Sequence, residues 1–316
     1  MSDLLRFLRD TKSVVFVNPV AGAGRAARNL RRVRNAFARM EMATEFVVAG
    51  SATEMEAGVR AAIANGARLV FAMGGDGTVQ AVVNGICGDR LNGGDTVIGV
   101  LPSGGGNDFA SALRLPKNLA AVVGALPETR IREVDVLRGR TGDGSTRLFL
   151  GGGGVGLDVD AVRHASSTYR KWPGRSRYLA SALRAWKAFE PIGVRVEFPE
   201  DDLPAIEARA MLAAALNTPS YGAGLRIAPE ARVDDGLLDV SILRCLNAAE
   251  VGRAIPRLFA SGNLPETYLT LRKAQAVILR TDRPCMFHGD GEILGPAPVR
   301  IEVVPNAIRV LVPTGD

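Results

Sequence analysis

The segment most informative about the fold is Leu69-Val70-Phe71-Ala72-Met73-Gly74-Gly75-Asp76-Gly77-Thr78. Five apolar residues run into three glycines around one aspartate, and a helix-like segment, Val79–Ile86, follows directly. An apolar run that ends in a glycine-rich turn before a helix is typical of a strand in a parallel sheet. Glycine lets the backbone approach a ligand closely, and Asp76 offers a hard oxygen ligand. The turn is therefore also a candidate binding site.

The same alternation extends through the first third of the chain. Apolar runs and helix-like segments follow one another as Val14–Val17, Ala26–Arg39, Thr44–Val48, Glu54–Ala64, Leu69–Met73, Val79–Ile86 and Val97–Leu101. We predict an α/β domain with a parallel sheet over residues 1–133. Ligands bind at the carboxyl ends of the strands in such sheets.

Two more glycine-rich loops follow predicted strands. Asn18–Arg25 could hold a phosphate on its backbone N–H groups and on Arg25, although a ligand-free turn explains it equally well. Pro102–Ala110 combines three glycines with an amide and a carboxylate, a pattern that a helix cap would also explain. The convergence of three such loops at one sheet edge favours a phosphate-binding site.

From about Glu133 the pattern changes to short alternating segments rich in β-branched residues. They are Val134–Leu137, Arg147–Leu150, Val194–Phe198, Ala208–Leu216, Leu238–Leu243, Ala276–Leu279, Val299–Val304 and Ile308–Val312. These segments predict an antiparallel sandwich or barrel over residues 134–316. Two helices are expected to interrupt it, Arg177–Phe189 and Ala248–Ser261, the second capped by Asn247.

Two acidic motifs lie in this second part. Gly289-Asp290-Gly291-Glu292 places two carboxylates two residues apart, on one face if the segment is a strand, or as solvated acids if it is a tight turn. We expect the preceding His288 to be a hydrogen-bonding neighbour and not the catalytic group. Asp234-Asp235-Gly236 predicts a turn, with a hairpin favoured.

Composition narrows the choice of partners. The longest apolar runs fall short of the ~20 residues that a spanning helix needs, and the N-terminus lacks a secretory signal pattern. We therefore expect a cytoplasmic protein. The net charge of +6 favours anionic partners, but only 5% of the residues are aromatic, so we expect no nucleic-acid partner.

Cys87, Cys245 and Cys285 lack metal-ligand spacing and are predicted to be reduced structural thiols.

A basic and aromatic segment, Tyr169–Tyr178, precedes the first of the two helices. Cations interleaved with aromatic rings fit peripheral docking on the anionic inner face of a membrane. A solvated basic loop fits the same residues at least as well. The sequence leaves the oligomeric state open, with a homodimer among the alternatives.

The motifs together resemble the diacylglycerol kinase catalytic family, in particular bacterial lipid kinases similar to diacylglycerol and sphingosine kinases. The resemblance rests on NPVAGAG at 18–24, GGDGTVQAVVNG at 74–85, LPSGGGNDFA at 101–110, YGAGLRIAPEARVDDGLLDV at 221–240 and HGDGE at 288–292. NAD kinases share GGDGT, so the later segments carry the distinction. Gly105 stands where the family usually has threonine, and Gln80 where it often has glutamate.

This resemblance implies a nucleotide-binding α/β domain followed by a β-sandwich domain, with a last strand that can return to the first domain. It implies ATP as the phosphate donor and a lipid at the membrane surface, diacylglycerol or a related lipid, as the acceptor. The nucleotide contacts are expected from the three loops, at Asn18, Gly22, Gly24, Arg25, Gly74, Gly75, Asp76, Gly77, Thr78, Ser103, Gly105, Asn107 and Asp108.

The resemblance also implies the roles of the acids. Asp76 and Asp108 would organise Mg²⁺, directly or through water, and Asp290 with Glu292 would supply the catalytic base. A second, structural cation site is implied at Arg232, Asp235 and Leu237. An NAD kinase-like enzyme with a soluble acceptor and a non-catalytic nucleotide sensor are the alternatives.

Overall fold

The computed structural model describes residues 3–88, 92–157, 189–222 and 224–315, together with the single positions 159, 184 and 186. The chain forms two compact units. The first comprises residues 1–134 and 306–316, and the second comprises residues 135–305. The division predicted after residue 133 lies one residue before the first of these junctions.

The first unit is built on a parallel sheet. Strand β1 (Ser13–Val17) lies between β2 (Thr44–Val48) and β3 (Leu69–Gly74), and β4 (Val97–Pro102) pairs with β3. The sequence predicted these four strands to within one residue at each end. Strands β1, β3 and β4 are buried along their whole length. Such burial is expected of a parallel sheet that helices cover on both faces.

The helices of the first unit pack in two groups, with α3 on α4 and α2 on α6. The apolar residues of β1 alternate between them, since Val15 and Val17 join the core cluster that includes Phe37 of α2, while Phe16 lies against Gly58 of α3. Helix α1 was not predicted from the sequence. The helices are α1 (Asp3–Asp10), α2 (Ala21–Arg39), α3 (Ala52–Ala64), α4 (Asp76–Cys87), α5 (Asp108–Ala112) and α6 (Leu119–Ala125), the last followed by a 3₁₀ turn at Leu126–Glu128.

The second unit is an antiparallel β-sandwich. Its strands pair antiparallel, and β9 contacts β7, β8 and β10. Phe149 and Phe287 meet edge to face in its core, with ring centroids 5.7 Å apart. The strands are β5 (Thr129–Arg140), β6 (Thr146–Phe149), β7 (Gly152–Gly156), β8 (Ile192–Glu197), β9 (Ile206–Leu216), β10 (Leu238–Arg244), β11 (Leu269–Ala274), β12 (Ala276–Thr281), β13 (Met286–Gly289), β14 (Glu292–Pro296) and β15 (Val299–Pro313).

Strand β15 corrects one prediction. Val299–Val304 and Ile308–Val312 were expected as two strands, but they belong to a single strand of 15 residues. Asn306 has a φ of 52°, a left-handed conformation that asparagine tolerates, so the chain bends without leaving the strand. Beyond this bend Arg309 and Val310 pair in parallel with β4 of the first unit.

Helix α7 (Ala248–Ala260) follows the predicted cap closely. Asn247 accepts the N–H of Glu250 at 3.0 Å, and the Glu250 side chain accepts the N–H of Asn247 at 2.8 Å. This capping box confirms the predicted start. The Tyr169–Tyr178 segment and all but residues 184, 186 and 189 of the helix predicted at Arg177–Phe189 lie outside the described residues. Within the part of the chain that the structure describes, no helix has the length and hydropathy to cross a membrane.

Candidate active site

The loop after β1 is a left-handed turn. Its residues Gly22–Gly24 have φ values between 57° and 81°, so the regular part of α2 begins after them. A Cβ atom on Gly22 would lie 2.0 Å from the carbonyl oxygen of Ser103. Arg25 donates a hydrogen bond to the carbonyl oxygen of Gly104. The first and third predicted loops are therefore in direct contact.

The loops after β3 and β4 pack backbone against backbone. The carbonyl oxygen of Gly74 accepts the N–H of Ser103 at 2.7 Å and that of Gly104 at 3.1 Å. A Cβ atom on Gly104 would lie 2.4 Å from the Cα atom of Gly75. Only glycine fits this approach, which explains why both loops are glycine-rich.

Thr78 ties the second loop to the first. Asn18 Nδ2 donates to Thr78 Oγ1 at 3.3 Å, and the buried Thr78 side chain covers Gly74, where a Cβ atom would lie 2.1 Å from Oγ1. The three loops predicted from sequence thus form one connected surface at the carboxyl ends of β1, β3 and β4.

Asp76 caps the short helix α5. Its Oδ2 accepts the N–H of Asn107 at 2.8 Å, and its Oδ1 accepts the N–H of Phe109 at 3.1 Å. The pKa of Asp76 is raised to about 6, first by burial of the carboxyl group and then by the charge of Asp108. Hydrogen bonds from the backbone of residues 107–109 oppose this rise. The structure therefore gives Asp76 a part that the sequence did not predict, which is to hold the third loop against the second.

Asp76 and Asp108 carry two carboxylates of the first unit that interact with one another. The described residues contain no cluster of three or more His, Cys, Asp or Glu side chains that could enclose a metal. Mg²⁺ in kinases is commonly held by one or two carboxylates together with phosphate oxygens and water. A cation would also relieve the repulsion between Asp76 and Asp108. The pair fits an ion that arrives with a nucleotide better than one enclosed by protein alone.

The Asp290 and Glu292 pair lies in a β-hairpin. Asp290 and Gly291 connect β13 to β14, with φ values of 50° and 87°. Positive φ at both central residues is what a two-residue type I′ turn requires. The turn that the sequence allowed at this position is confirmed. The alternative, two acids on one face of a strand, is wrong because Asp290 lies in the turn and Glu292 begins β14.

The two acids have different surroundings. Asp290 Oδ2 accepts the N–H of Leu150 at 2.7 Å, and Oδ1 accepts those of Gly151 and Gly152 at 2.8 and 3.3 Å. Glu292 is exposed. Asp290 anchors the hairpin to the segment that leads into β7, while the Glu292 side chain is accessible to a ligand.

His288 is buried beside this hairpin. Its Nε2 lies 2.7 Å from the hydroxyl of Tyr221, and the two rings stack with centroids 5.6 Å apart. The expected hydrogen-bonding part of His288 is confirmed. Tyr221 was missed as a site residue, although it opens the YGAG motif, because its partner lies 67 residues away.

The turn at 234–236 is confirmed, but the hairpin favoured there is wrong because residues 226–237 contain no strand. Lys273 Nζ lies 3.2 Å from Asp235 Oδ2 and 2.9 Å from Asp239 Oδ2. Burial alone would lower the pKa of Lys273, but the hydrogen bonds and charges of the two aspartates outweigh it and raise the pKa. The cation site at Arg232, Asp235 and Leu237 stays a prediction, with its one carboxylate paired to an ammonium group.

Comparisons with known proteins cover both units. The diacylglycerol kinase catalytic domain matches residues 12–138, and the YegS C-terminal NAD kinase beta sandwich-like domain matches residues 153–312. The chain belongs to the diacylglycerol kinase catalytic family. A diacylglycerol kinase of Mycobacterium tuberculosis (strain ATCC 25618 / H37Rv) is 28% identical to this chain over 307 residues. The aligned part covers 96% of this chain and 95% of the relative. A Pseudomonas aeruginosa protein (strain PAO1) named "Probable lipid kinase YegS-like" is 30% identical over 258 residues, 82% and 81% of the two chains.

As a member of the diacylglycerol kinase catalytic family, the chain is a kinase, a transferase whose family uses ATP as the phosphate donor. The crystal structure of a diacylglycerol kinase from Bacillus anthracis str. Sterne matches its fold with a TM-score of 0.72 and 20% identity, covering 96% of this chain and 97% of that one. The predicted order of an α/β domain and a β-sandwich domain is thereby confirmed.

Gln80, where the family often has glutamate, is buried, and its Nε2 has no hydrogen-bond partner among the described residues.

Proposed function

We propose that this kinase transfers the γ-phosphate of ATP to the hydroxyl group of a lipid, diacylglycerol or a related lipid. The observation that carries the nucleotide half of the proposal is the contact among three glycine-rich loops at the carboxyl ends of β1, β3 and β4. The lipid half is supported by similarity to relatives named as diacylglycerol kinase and lipid kinase, the first over nearly the whole chain.

Phosphoryl transfer depends on positioning and on charge neutralisation more than on covalent help from the protein. The loops offer backbone N–H groups, the start of α4 adds the positive end of a helix, and Arg25 adds a cation at the junction of the first and third loops. Mg²⁺, when bound near Asp76 and Asp108, would neutralise phosphate charge. Asp76 keeps the third loop in position against the second.

Proton removal from the acceptor is assigned to Glu292. Glu292 is an exposed residue, whereas both oxygens of Asp290 accept hydrogen bonds from the backbone. A general base must reach the hydroxyl that it deprotonates, so accessibility favours Glu292. Asp290 is a positioning residue that fixes the hairpin from which Glu292 projects.

The acceptor is proposed to be reached at the inner face of a membrane, through the basic Tyr169–Tyr178 segment. Sedimentation with anionic vesicles tests this, using R175S/R177S and a matched control, R253S/R257S, which removes the same charge from α7. We expect weaker sedimentation only for the first pair. If both double variants sediment with the vesicles as much as the wild type does, the segment is not a docking surface.

The decisive experiment incubates labelled ATP with a total lipid extract, a panel of diacylglycerol, sphingoid base, ceramide and phosphatidylglycerol, and NAD. Label in a lipid product, lost in E292Q, supports the proposal, and the product names the acceptor. Label in NAD alone would establish the NAD kinase-like alternative. Binding of ATP without transfer to any acceptor would leave the nucleotide sensor as the function.

A further inference from the structure

A cavity of about 710 Å³ opens in the first unit between α2 and α6, and we call it the α2/α6 groove. Arg25, Arg32 and Arg39 line it from α2, and Lys117 lines it from the segment before α6. No acidic side chain is found among its described lining residues. The volume is that of a small-molecule site, and its charge is of one sign.

The three arginines recur at intervals of seven residues along α2. Seven residues are nearly two helical turns, so the three side chains share one face and follow one another at ~10 Å along the helix. The Val33 and Val123 side chains, from α2 and α6, provide an apolar floor between the charged positions. This arrangement suits an elongated ligand with anionic groups at both ends.

The composition of α2 also indicates an anionic partner. Its 19 residues contain six arginines and no acid. Arginines three or four residues apart repel one another, and Arg25 and Arg28 oppose the dipole near the helix start. Within the described parts of the chain, Arg32, Arg39 and Lys117 form no ion pair that could offset this repulsion.

We propose that the α2/α6 groove binds a soluble anion with several phosphate groups, next to the nucleotide loops and at the same time as ATP. Arginine binds a phosphate group through two parallel hydrogen bonds, which lysine cannot form. Arg32 and Arg39 therefore suit a ligand with phosphate groups better than two lysines would. The groove contains none of residues 74–78, but it shares Arg25 with the first loop and Ser103 and Asn107 with the third. A ligand there would lie next to the nucleotide loops without occupying the Gly74–Thr78 turn.

Isothermal titration calorimetry with inorganic tripolyphosphate tests the proposal. The titration is made at fixed free Mg²⁺, first without nucleotide and then with the ATP site saturated by a non-hydrolysable ATP analogue. The wild type should bind one tripolyphosphate per chain, and R32S/R39S should weaken this binding at least tenfold. The matched pair R31S/R34S removes the same charge from α2 outside the groove and should bind within twofold of the wild type. Thermal unfolding of each variant checks that it is folded.

Four results would overturn the proposal. They are absence of tripolyphosphate binding, loss of binding when the ATP analogue is saturating, equal weakening in the two arginine pairs, and binding of phosphatidylglycerol vesicles in place of tripolyphosphate. The second result would make the groove part of the nucleotide site, and the last would make it a membrane-docking surface. Because the assay requires no phosphate transfer, its result does not depend on which acceptor the kinase uses.

Discussion

The Asp290 carboxylate accepts the backbone N–H of Leu150 at 2.7 Å. Gly151 and Gly152 donate to the same side chain, so one acid in a turn fixes three successive N–H groups that precede or begin β7. A carboxylate with so many donors is suited to hold a hairpin in place. Glu292, two residues further along, is exposed.

Exchanging each acid for its amide separates the two roles. E292Q should lower kcat by about 10²–10⁴-fold, the usual contribution of a general base, with unchanged thermal unfolding. D290N should lower the free energy of unfolding by about 1.5–3 kcal/mol, because an amide offers one acceptor oxygen where two carboxylate oxygens now accept. Steady-state kinetics and urea unfolding measure the two effects.

E266Q is the control, since Glu266 is exposed and pairs with Arg272, at 3.7 Å, in a weak surface ion pair. It should change neither property. Near-normal kcat in E292Q, or a fully stable D290N with a severe loss of kcat, would reverse the proposed roles of the two acids.

The titration of Asp76 gives a second prediction. Its pKa of about 6 should appear as a carboxyl ¹³C midpoint near pH 6 in the nucleotide-free protein. D108N should lower the midpoint by removing a neighbouring charge, but not to the ordinary value of 3.8, because burial is the larger cause. D95N removes a highly exposed charge and should leave the midpoint unchanged.

The raised pKa of Asp76 also predicts how the free energy of unfolding changes with pH. Between pH 3.8 and about 6 the folded state holds the Asp76 proton more tightly than the unfolded state does. The contribution of Asp76 to the free energy of unfolding therefore falls as the pH rises through this window. A midpoint near 4 that does not respond to D108N would contradict the assigned burial and coupling.

The sequence predicts the positions of the candidate-site loops well because a glycine-rich turn after an apolar run is a local pattern. Gly75 and Gly104 reflect a close backbone approach, Gly74 leaves room for the Thr78 side chain, and the strands before these loops carry an unbroken apolar pattern. Strand β7 escaped prediction for the opposite reason, since Gly152–Gly156 contains one β-branched residue and is shaped by its neighbours. A Cβ atom on Gly153 would lie 2.5 Å from the His288 carbonyl oxygen.

Long-range partners were beyond the reach of the sequence. Asp76 is 31 residues from Asn107, and Asp290 is 140 residues from Leu150. No spacing rule links residues so far apart, so the sequence predicts a ligand role for each acid, whereas the structure shows that each carboxylate binds backbone N–H groups. Lys273 was missed in the same way, 38 residues beyond Asp235.

Lys273 supplies a third prediction, on metal removal. Because its ammonium group already bridges Asp235 and Asp239, EDTA should leave the Tm of the wild type unchanged. K273M should lose about 1–2 kcal/mol of unfolding free energy, less than a fully buried pair loses, since Lys273 is partly exposed. Millimolar Mg²⁺ or Ca²⁺ should then raise the Tm of K273M by neutralising the two carboxylates.

R272M, which removes an exposed charge from the same strand, should respond to neither treatment. A wild-type Tm that falls in EDTA would instead indicate a resident cation at Arg232, Asp235 and Leu237. These measurements use thermal unfolding alone and are independent of the phosphate acceptor.

Two glycine-to-alanine variants, one in the first loop and one outside it, distinguish the cost of backbone strain from the effect of steric overlap. Gly22 and Gly66 both have positive φ, 59° and 88°, so alanine should cost about 1–2 kcal/mol at either position. Only at Gly22 does the new methyl group overlap another atom, the Ser103 carbonyl oxygen at 2.0 Å, whereas nothing lies within 4 Å at Gly66. G22A must therefore separate the first loop from the third. We expect its KM for ATP to rise about tenfold, equivalent to about 1.4 kcal/mol, while G66A keeps the wild-type KM. Urea unfolding of both variants measures the shared strain, and an equal KM in the two variants would show that contact between these loops is not needed to bind ATP.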